Sequence, residues 1–123
     1  MNTIICTLYE KHYHYGVAAL LNSLAKYGFE GDFYIGYRGE LPFWAKPVVE
    51  TIDFTDKADW KSIKKVAISD RITLHFILLE TDYHLSNYKP TFMCDLWESL
   101  SEKPDGIFYF DPDIVIKCNW VFF

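Results

Sequence analysis

Asp111 and Asp113, separated only by Pro112, are the pair of residues in this chain best placed to do chemistry. They follow the uninterrupted apolar run Ile107, Phe108, Tyr109 and Phe110, and the chain turns apolar again at Ile114, Val115 and Ile116. A short run of this aromatic content after an Asp105-Gly106 turn predicts a strand buried on both faces, as in a parallel sheet. In an extended chain, residues two apart point to the same side and lie roughly 6.5–7 Å apart. Pro112 fixes its own φ and biases Asp111 toward extended geometry, so the two carboxylates would be stiffly held. Two like charges so placed call for a cation, and a hard divalent ion such as Mg²⁺ or Mn²⁺ suits their oxygens. Asp-Pro-Asp is also a good turn, because Asp side chains bond nearby backbone N–H groups. The apolar residues on both sides are what favour the metal reading.

Strands and helices must carry such a pair. Residues 3–9 (TIICTLY) predict a first strand, central in its sheet, with 10–14 as the loop at its carboxyl end. From 15 to 27, Val17, Leu20, Leu21, Leu24 and Tyr27 recur at helical spacing, and Gly28 stands where a left-handed cap belongs. Residues 32–37 (DFYIGY) predict a second strand closed by Arg38-Gly39, which completes a βαβ unit. Pro42 and Pro47 leave room for only a short helix over 41–48, and 49–54 predict a third strand. Over 56–70, Trp60, Ile63 and Ala67 share one helical face, while Lys57, Lys61, Lys64 and Lys65 read as a solvated face. Residues 72–79 (ITLHFILL) predict a fourth strand, with a helix as the alternative that period alone leaves open. Pro90 suits the first helical position ahead of Phe92, Met93, Leu96 and Leu100. Lys89 would then stand beside the free N–H groups of a helix entrance, a ready anion site. An exposed lysine with no such role is the plainer alternative.

These elements predict an α/β domain with a Rossmann-like, mostly parallel sheet flanked by helices. Ligands of such sheets bind beyond the carboxyl ends of the strands. The segments at that edge, 7–14, Arg38-Gly39, 84–89 and 111–113, offer aromatic groups, a lysine, an arginine and a carboxylate pair. A cation-bridged polyphosphate bearing a stackable base would suit them.

Composition sets the bounds. A chain of 123 residues holds one domain with a modest core. Half its residues are hydrophobic and 19% are aromatic, which excludes a disordered chain. A net charge of −5 argues against general nucleic-acid binding, which needs a basic surface. No apolar run approaches the roughly 18 residues of a membrane span. The amino terminus carries no charged-then-apolar leader pattern. Cys6, Cys94 and Cys118 fit no zinc spacing and read as reduced core thiols of an intracellular, cytoplasmic protein. Residues 119–123 (NWVFF) end the chain on large apolar groups, an end that invites association, such as a homodimer through it. The chain reads as cut off soon after its carboxylate pair.

The stretches TLYEKHYHYGVAALLNSL, NYKPTFM and FYFDPDIVI together resemble the nucleotide-diphospho-sugar transferases, the glycosyltransferases of GT-A type, whose DxD motif ends a central strand. The resemblance spans nearly the whole chain but only the family's donor-binding half. It implies one nucleotide-sugar-binding α/β domain over 1–123. By that resemblance Asp111 and Asp113 would bind Mn²⁺ or Mg²⁺, and the ion would hold the donor's diphosphate. Lys89 would add a second positive group near the phosphates. Thr7, Leu8 and Tyr9 would cradle the base and ribose of a UDP- or GDP-linked sugar. His14, Tyr15 and Arg38 lie near the same edge, each with a packing role as the alternative. Acceptor and catalytic residues stay unassigned, because the family's later part supplies them. The implied function is metal-dependent nucleotide-sugar binding and glycosyl transfer, with this chain as the donor-binding part. The alternative is a non-catalytic protein-interaction module that docks through its apolar end and uses Asp-Pro-Asp only as a turn. A phosphatase of the haloacid-dehalogenase type also uses DxD after an apolar strand, but on the domain's opening strand, whereas this pair arrives at 111.

Overall fold

The apolar run near the amino terminus forms strand β1 (Thr3–Glu10), buried on both faces from Thr3 to Tyr9. A computed structural model of the chain describes residues 2–45, 50–52 and 59–122. After β1 come a 3₁₀ turn (Lys11–Tyr13), helix α1 (His14–Lys26) and strand β2 (Gly31–Arg38). Strands β3 (Glu50–Ile52), β4 (Trp60–Ala67) and β5 (Ile72–Leu79) follow. Helix α2 (Leu85–Ser99), strand β6 (Gly106–Tyr109) and a last 3₁₀ turn (Trp120–Phe122) complete the order. The described strands form one sheet in the order β3-β4-β5-β2-β1-β6. Strands β5, β2, β1 and β6 run parallel, whereas β4 joins β5 and β3 joins β4 antiparallel.

The α/β character is observed, and the sheet is mixed. The strand alternation sorts side chains to two sides. Ile5, Tyr9, Phe33, Ile35, Leu74 and Phe76 meet Val17, Leu20, Leu21 and Leu24 of α1. Ile4, Cys6, Leu8, Ile77 and Leu79 meet Leu85, Tyr88, Phe92 and Leu96 of α2. Each fully buried Phe or Leu contributes about 1.5–3 kcal/mol of burial free energy. Close packing of α2 depends on Gly36 of β2, where an added Cβ would stand 2.6 Å from Leu8 Cδ2 and 2.9 Å from Phe92 Cε1. No helix among the described residues is long and apolar enough to cross a membrane.

Several sequence expectations change. The helical face expected from Trp60 and Ile63 is strand β4, whose bulge sets Trp60 against Leu79 and Ser62 against Leu78. The extra residue puts Trp60 and Ile63 on the same side of the sheet three residues apart, which imitates a helical period. Helix α2 begins five residues before Pro90, because Leu85 and Tyr88 extend its apolar stripe backward and the His84 ring nitrogen Nδ1 accepts the Ser86 N–H at 3.2 Å. Strand β6 is half-buried and at an edge, pairing among the described residues with β1 alone. The strand does not resume after Asp113: Ile114 and Val115 are exposed, and Ile116 turns inward with its N–H on Ser23 Oγ at 2.8 Å. Cys94 and Cys118 are exposed rather than in the core. Cys6 alone is buried there, and burial pushes its thiol up to about 12. Trp120 is folded inward against Phe29, Phe108 and Phe110, and its backbone N–H donates to Tyr27 O at 2.7 Å, so the apolar end keeps its tryptophan to itself. The third strand is observed over Glu50–Ile52, and the rest of the 49–54 expectation lies outside the described residues.

At the amino ends of the strands, His75 of β5 meets Asp32 of β2 with Nε2 and Oδ1 2.8 Å apart, and the His75 ring stacks on Tyr34 at 4.2 Å. The hydrogen bond from His75 holds the Asp32 carboxyl below the usual carboxylate range, against the opposing effect of burial. A carboxyl held low in the folded state stabilises the fold above its unfolded pKa, and that contribution vanishes as pH falls through the folded value. Asp32→Asn is therefore expected to lower the urea midpoint at pH 7, with the gap to the parent chain closing below about pH 4. A gap that stays constant down to pH 2 would show that the pair adds no acid-dependent stability.

Candidate functional site

Parallel pairing brings the carboxyl ends of β1, β2 and β6 to one edge of the sheet, and the site is built there. The backbone of β6 continues one residue further, with the Phe110 N–H on Cys6 O at 3.1 Å. It then bends. Ile114 N–H donates to Asp111 O at 3.0 Å, so residues 111–114 form a turn rather than an extended pair. The expectation that Asp111 and Asp113 leave the strand on one side is corrected by this hydrogen bond. Asp111 faces a cleft, while Asp113 is exposed and lines no described cavity.

The cleft beside Asp111 has a volume of about 340 Å³ and lies between the end of β1, the first turns of α2 and the 111–114 turn. Leu8, Tyr9, Lys89 and Asp111 all line it, together with Tyr109 and Pro112. Thr7 does not; it is fully buried behind the wall. Tyr9 offers less than its position suggests, since its ring stacks on Tyr37 at 5.8 Å and its hydroxyl donates to Glu40 O at 3.2 Å. Burial first, then neighbouring Tyr37, pushes the Tyr9 phenol up, so it stays protonated at neutral pH.

Lys89 is the centre of charge in this cleft. Its Nζ donates to Asp111 Oδ1 at 2.8 Å and lies 4.9 Å from the centroid of the Tyr109 ring. Lys89 belongs to the second turn of α2, so the helix-entrance argument for it fails. It acts through its side chain alone. Burial and then the Asp111 charge push the Tyr109 phenol up, which keeps that ring a neutral wall for the ammonium.

A second and larger cleft, about 490 Å³, adjoins the first through Glu10 and Lys11. Its walls include His14, Arg38, Glu40 and Phe43. Arg38 is structural. It pairs with Glu10 at 2.8 Å and donates to the carbonyls of Thr81 and Tyr83, both at 2.8 Å, so it clamps the ends of β1 and β2 to the loop before α2. His14 packs against Tyr15 at 4.1 Å and Phe43 at 5.8 Å between ring centroids. Tyr15 itself is exposed. Lys11, on the ridge between the clefts, has φ +56°, a left-handed conformation uncommon outside glycine.

Sequence reasoning missed Tyr109, Lys11 and Gly16. Tyr109 was within reach of the two-residue strand rule, applied one step before Asp111. Gly16 gives no such signal, because its role is a contact between distant segments. A Cβ there would overlap the Pro112 carbonyl oxygen and stand 2.9 Å from its carbon. The first turn of α1 is therefore pressed against the Asp-Pro-Asp turn, backbone to backbone.

As to a metal, no group of three or more His, Cys, Asp or Glu side chains converges among the described residues. Asp111, half-exposed and paired with Lys89, and Asp113, exposed two residues on, make no closed metal site, and an ion there would have to take most of its ligands from outside the chain. Comparison with protein-family models, with curated proteins and with solved structures gives no match to this chain.

Gly16→Ala is the variant that tests the seat of the turn. Alanine in a helix interior normally gains about 1 kcal/mol over glycine. Here the crowding of Pro112 is expected to reverse that sign, with a net loss of about 1–3 kcal/mol on chemical denaturation. A variant as stable as the parent chain would mean that the turn does not rest on α1.

Proposed function

We propose that this chain binds a nucleoside-diphosphate-linked sugar at the carboxyl edge of its parallel strands, as the donor-binding part of a glycosyltransferase of GT-A type. One observation carries the reading: a lysine, a carboxylate and an aromatic ring converge at the mouth of a cleft at the strand ends, where α/β sheets take their ligands. The Rossmann-like arrangement belongs to the same proposal, with β5-β2-β1-β6 as its parallel half.

In this reading Asp111 would hold Mn²⁺ or Mg²⁺, and Asp113 would add negative charge nearby. When bound, the ion supplies a Lewis acid that stabilises charge developing on a leaving nucleoside diphosphate. Lys89 would place an ammonium against the phosphates. The backbone of Leu8 and Tyr9 would form the wall along the nucleoside, and the buried Thr7 would support it from behind. Arg38 and Glu10, paired with each other, keep that wall in place and offer the donor no free charge.

The experiment is thermal unfolding with UDP, GDP, CMP and ADP, each with and without Mn²⁺, on the parent chain and on Asp111→Asn/Asp113→Asn. A ligand that binds only the folded state stabilises it by about 2.7 kcal/mol at a hundred times its Kd. The expected result is a Mn²⁺-dependent rise with one nucleotide, absent in the double variant. No rise in a well-folded chain would reject the donor site and move the reading to the interaction module, with Asp111-Pro112-Asp113 only a turn.

A further inference from the structure

Strand β6 ends the sheet, and no strand among the described residues covers its outer edge. Its pairing sets Ile4 of β1 against Ile107, Ile5 against Phe108 and Cys6 against Tyr109, and the Phe110 N–H donates to Cys6 O at 3.1 Å. In a parallel ladder the N–H and C=O of one residue point to the same neighbour, and those of the next residue point the other way. Phe108 and Phe110 therefore bond toward β1, and the backbone groups of Ile107 and Tyr109 point away from it. The side chains are left open in the same way, since every residue from Gly106 to Phe110 is only half-buried. Phe108 and Phe110 line up on the α1 side with Trp120, at centroid distances of 5.7 and 6.3 Å from it. Sheet edges are normally blunted by a charge, a proline or a bulge. Residues 106–109 (GIFY) carry no charge and no proline, and Pro104 and Pro112 stand beyond them.

The unpaired backbone groups say what fits here. A helix or a small apolar molecule would cover the rings and leave those N–H and C=O groups unbonded, whereas an extended chain satisfies both. Charge says which extended chain. A second copy of β6, laid antiparallel with Ile107 opposite Tyr109, would set Asp105 against Asp111, between chains that each carry −5. Like charges directly opposite destabilise a strand pair. Asp105 and Asp113 are both exposed at the two ends of the edge, and Asp105 spends one oxygen on the Asn2 N–H at 2.7 Å. They favour a partner with cationic ends.

We propose that the outer edge of β6 takes an extended segment of a partner polypeptide by strand addition, with apolar side chains at alternate positions over Phe108, Phe110 and Trp120, and lysine or arginine near Asp105 and Asp113. The backbone of Ile107 and Tyr109 supplies the bonds, and the aromatic row selects the alternation. The inference does not depend on the donor-site reading, which uses side chains of the neighbouring cleft.

Amide hydrogen exchange on the ¹⁵N-labelled whole chain makes the test, with the end-blocked peptide KVTVTVTK as the probe. Exchange at Ile107 and Tyr109 is expected to slow by about ten-fold at saturation, the upper worth of one net hydrogen bond. The Phe108 amide, already bonded to β1, should change less. The peptide EVTVTVTE should bind the parent chain more weakly. Asp113→Lys should weaken binding of the lysine peptide about two- to five-fold, the range of an exposed ion pair. Unchanged exchange at Ile107 and Tyr109 in millimolar lysine peptide would overturn the proposal. Protection of those two amides without peptide, rising with chain concentration, would also overturn it, because the edge would then take a second copy. Equal binding of both peptides to the parent chain would overturn the cationic ends, even if the Asp113→Lys chain failed to fold. A chain that shows the protection but binds no nucleotide keeps the edge site and loses only the donor site.

Discussion

Parallel pairing of β1 with β2 on one side and β6 on the other is the constraint on which the rest of this structure depends. Parallel strands end together, so one edge of the sheet collects the residues that follow each of them. Glu10 ends β1, Arg38 ends β2, and Asp111 lies just beyond β6. The strand edge is then tied down from outside by Arg38, whose guanidinium spans Glu10 and two loop carbonyls. A fork of fixed donors suits that task, since each bond it makes restrains the orientation of the others. The loop before α2 is held to the edge in the same stroke, and α2 enters with Lys89 on its second turn.

The 111–114 turn is placed by a different force. Its own hydrogen bond sets its shape, but its position comes from steric exclusion, the helix α1 backbone at Gly16 lying against the Pro112 carbonyl. The side chains of this region are balanced rather than locked. Lys89 shares its charge between a carboxylate and an aromatic face, both partly open to solvent. Ion pairs of that exposure are worth little net energy, and such a lysine can change partners at small cost. The backbone frame here is rigid, and the charge it carries is exchangeable.

Much of this was legible in the chain. The apolar periods of α1 and of β1, β2 and β5 are strong because one side of each element, or both, is buried, and burial leaves a regular record in residue type. Lys89 and Asp111 were both singled out, and they meet. The reasons given for them were less sound. Lys89 was assigned to a helix entrance because proline usually marks one, whereas Leu85 and Tyr88, a turn earlier, buried enough apolar surface to start α2 before Pro90. Strand β4 was hidden because its bulge shifts the two-residue period into something near a helical one. Within the apolar end, the contact of Trp120 with Phe29, Phe108 and Phe110 was not legible, because it joins separate segments in space.

What the sequence determined by itself is therefore local and periodic: which segments bury a face, where glycine and proline interrupt them, and which residue types are able to bind a cation or a phosphate. These follow from side-chain chemistry and from backbone geometry within a few residues. The tertiary structure decided which of those residues meet. It put Lys89 on Asp111 and Tyr109, left Asp113 outside the cleft, buried Thr7 behind it, and spent Arg38 on a clamp. Contacts of this kind join positions tens of residues apart, and no local pattern records them. They exist because parallel pairing of the strands brings the ends of distant segments to one edge of the sheet.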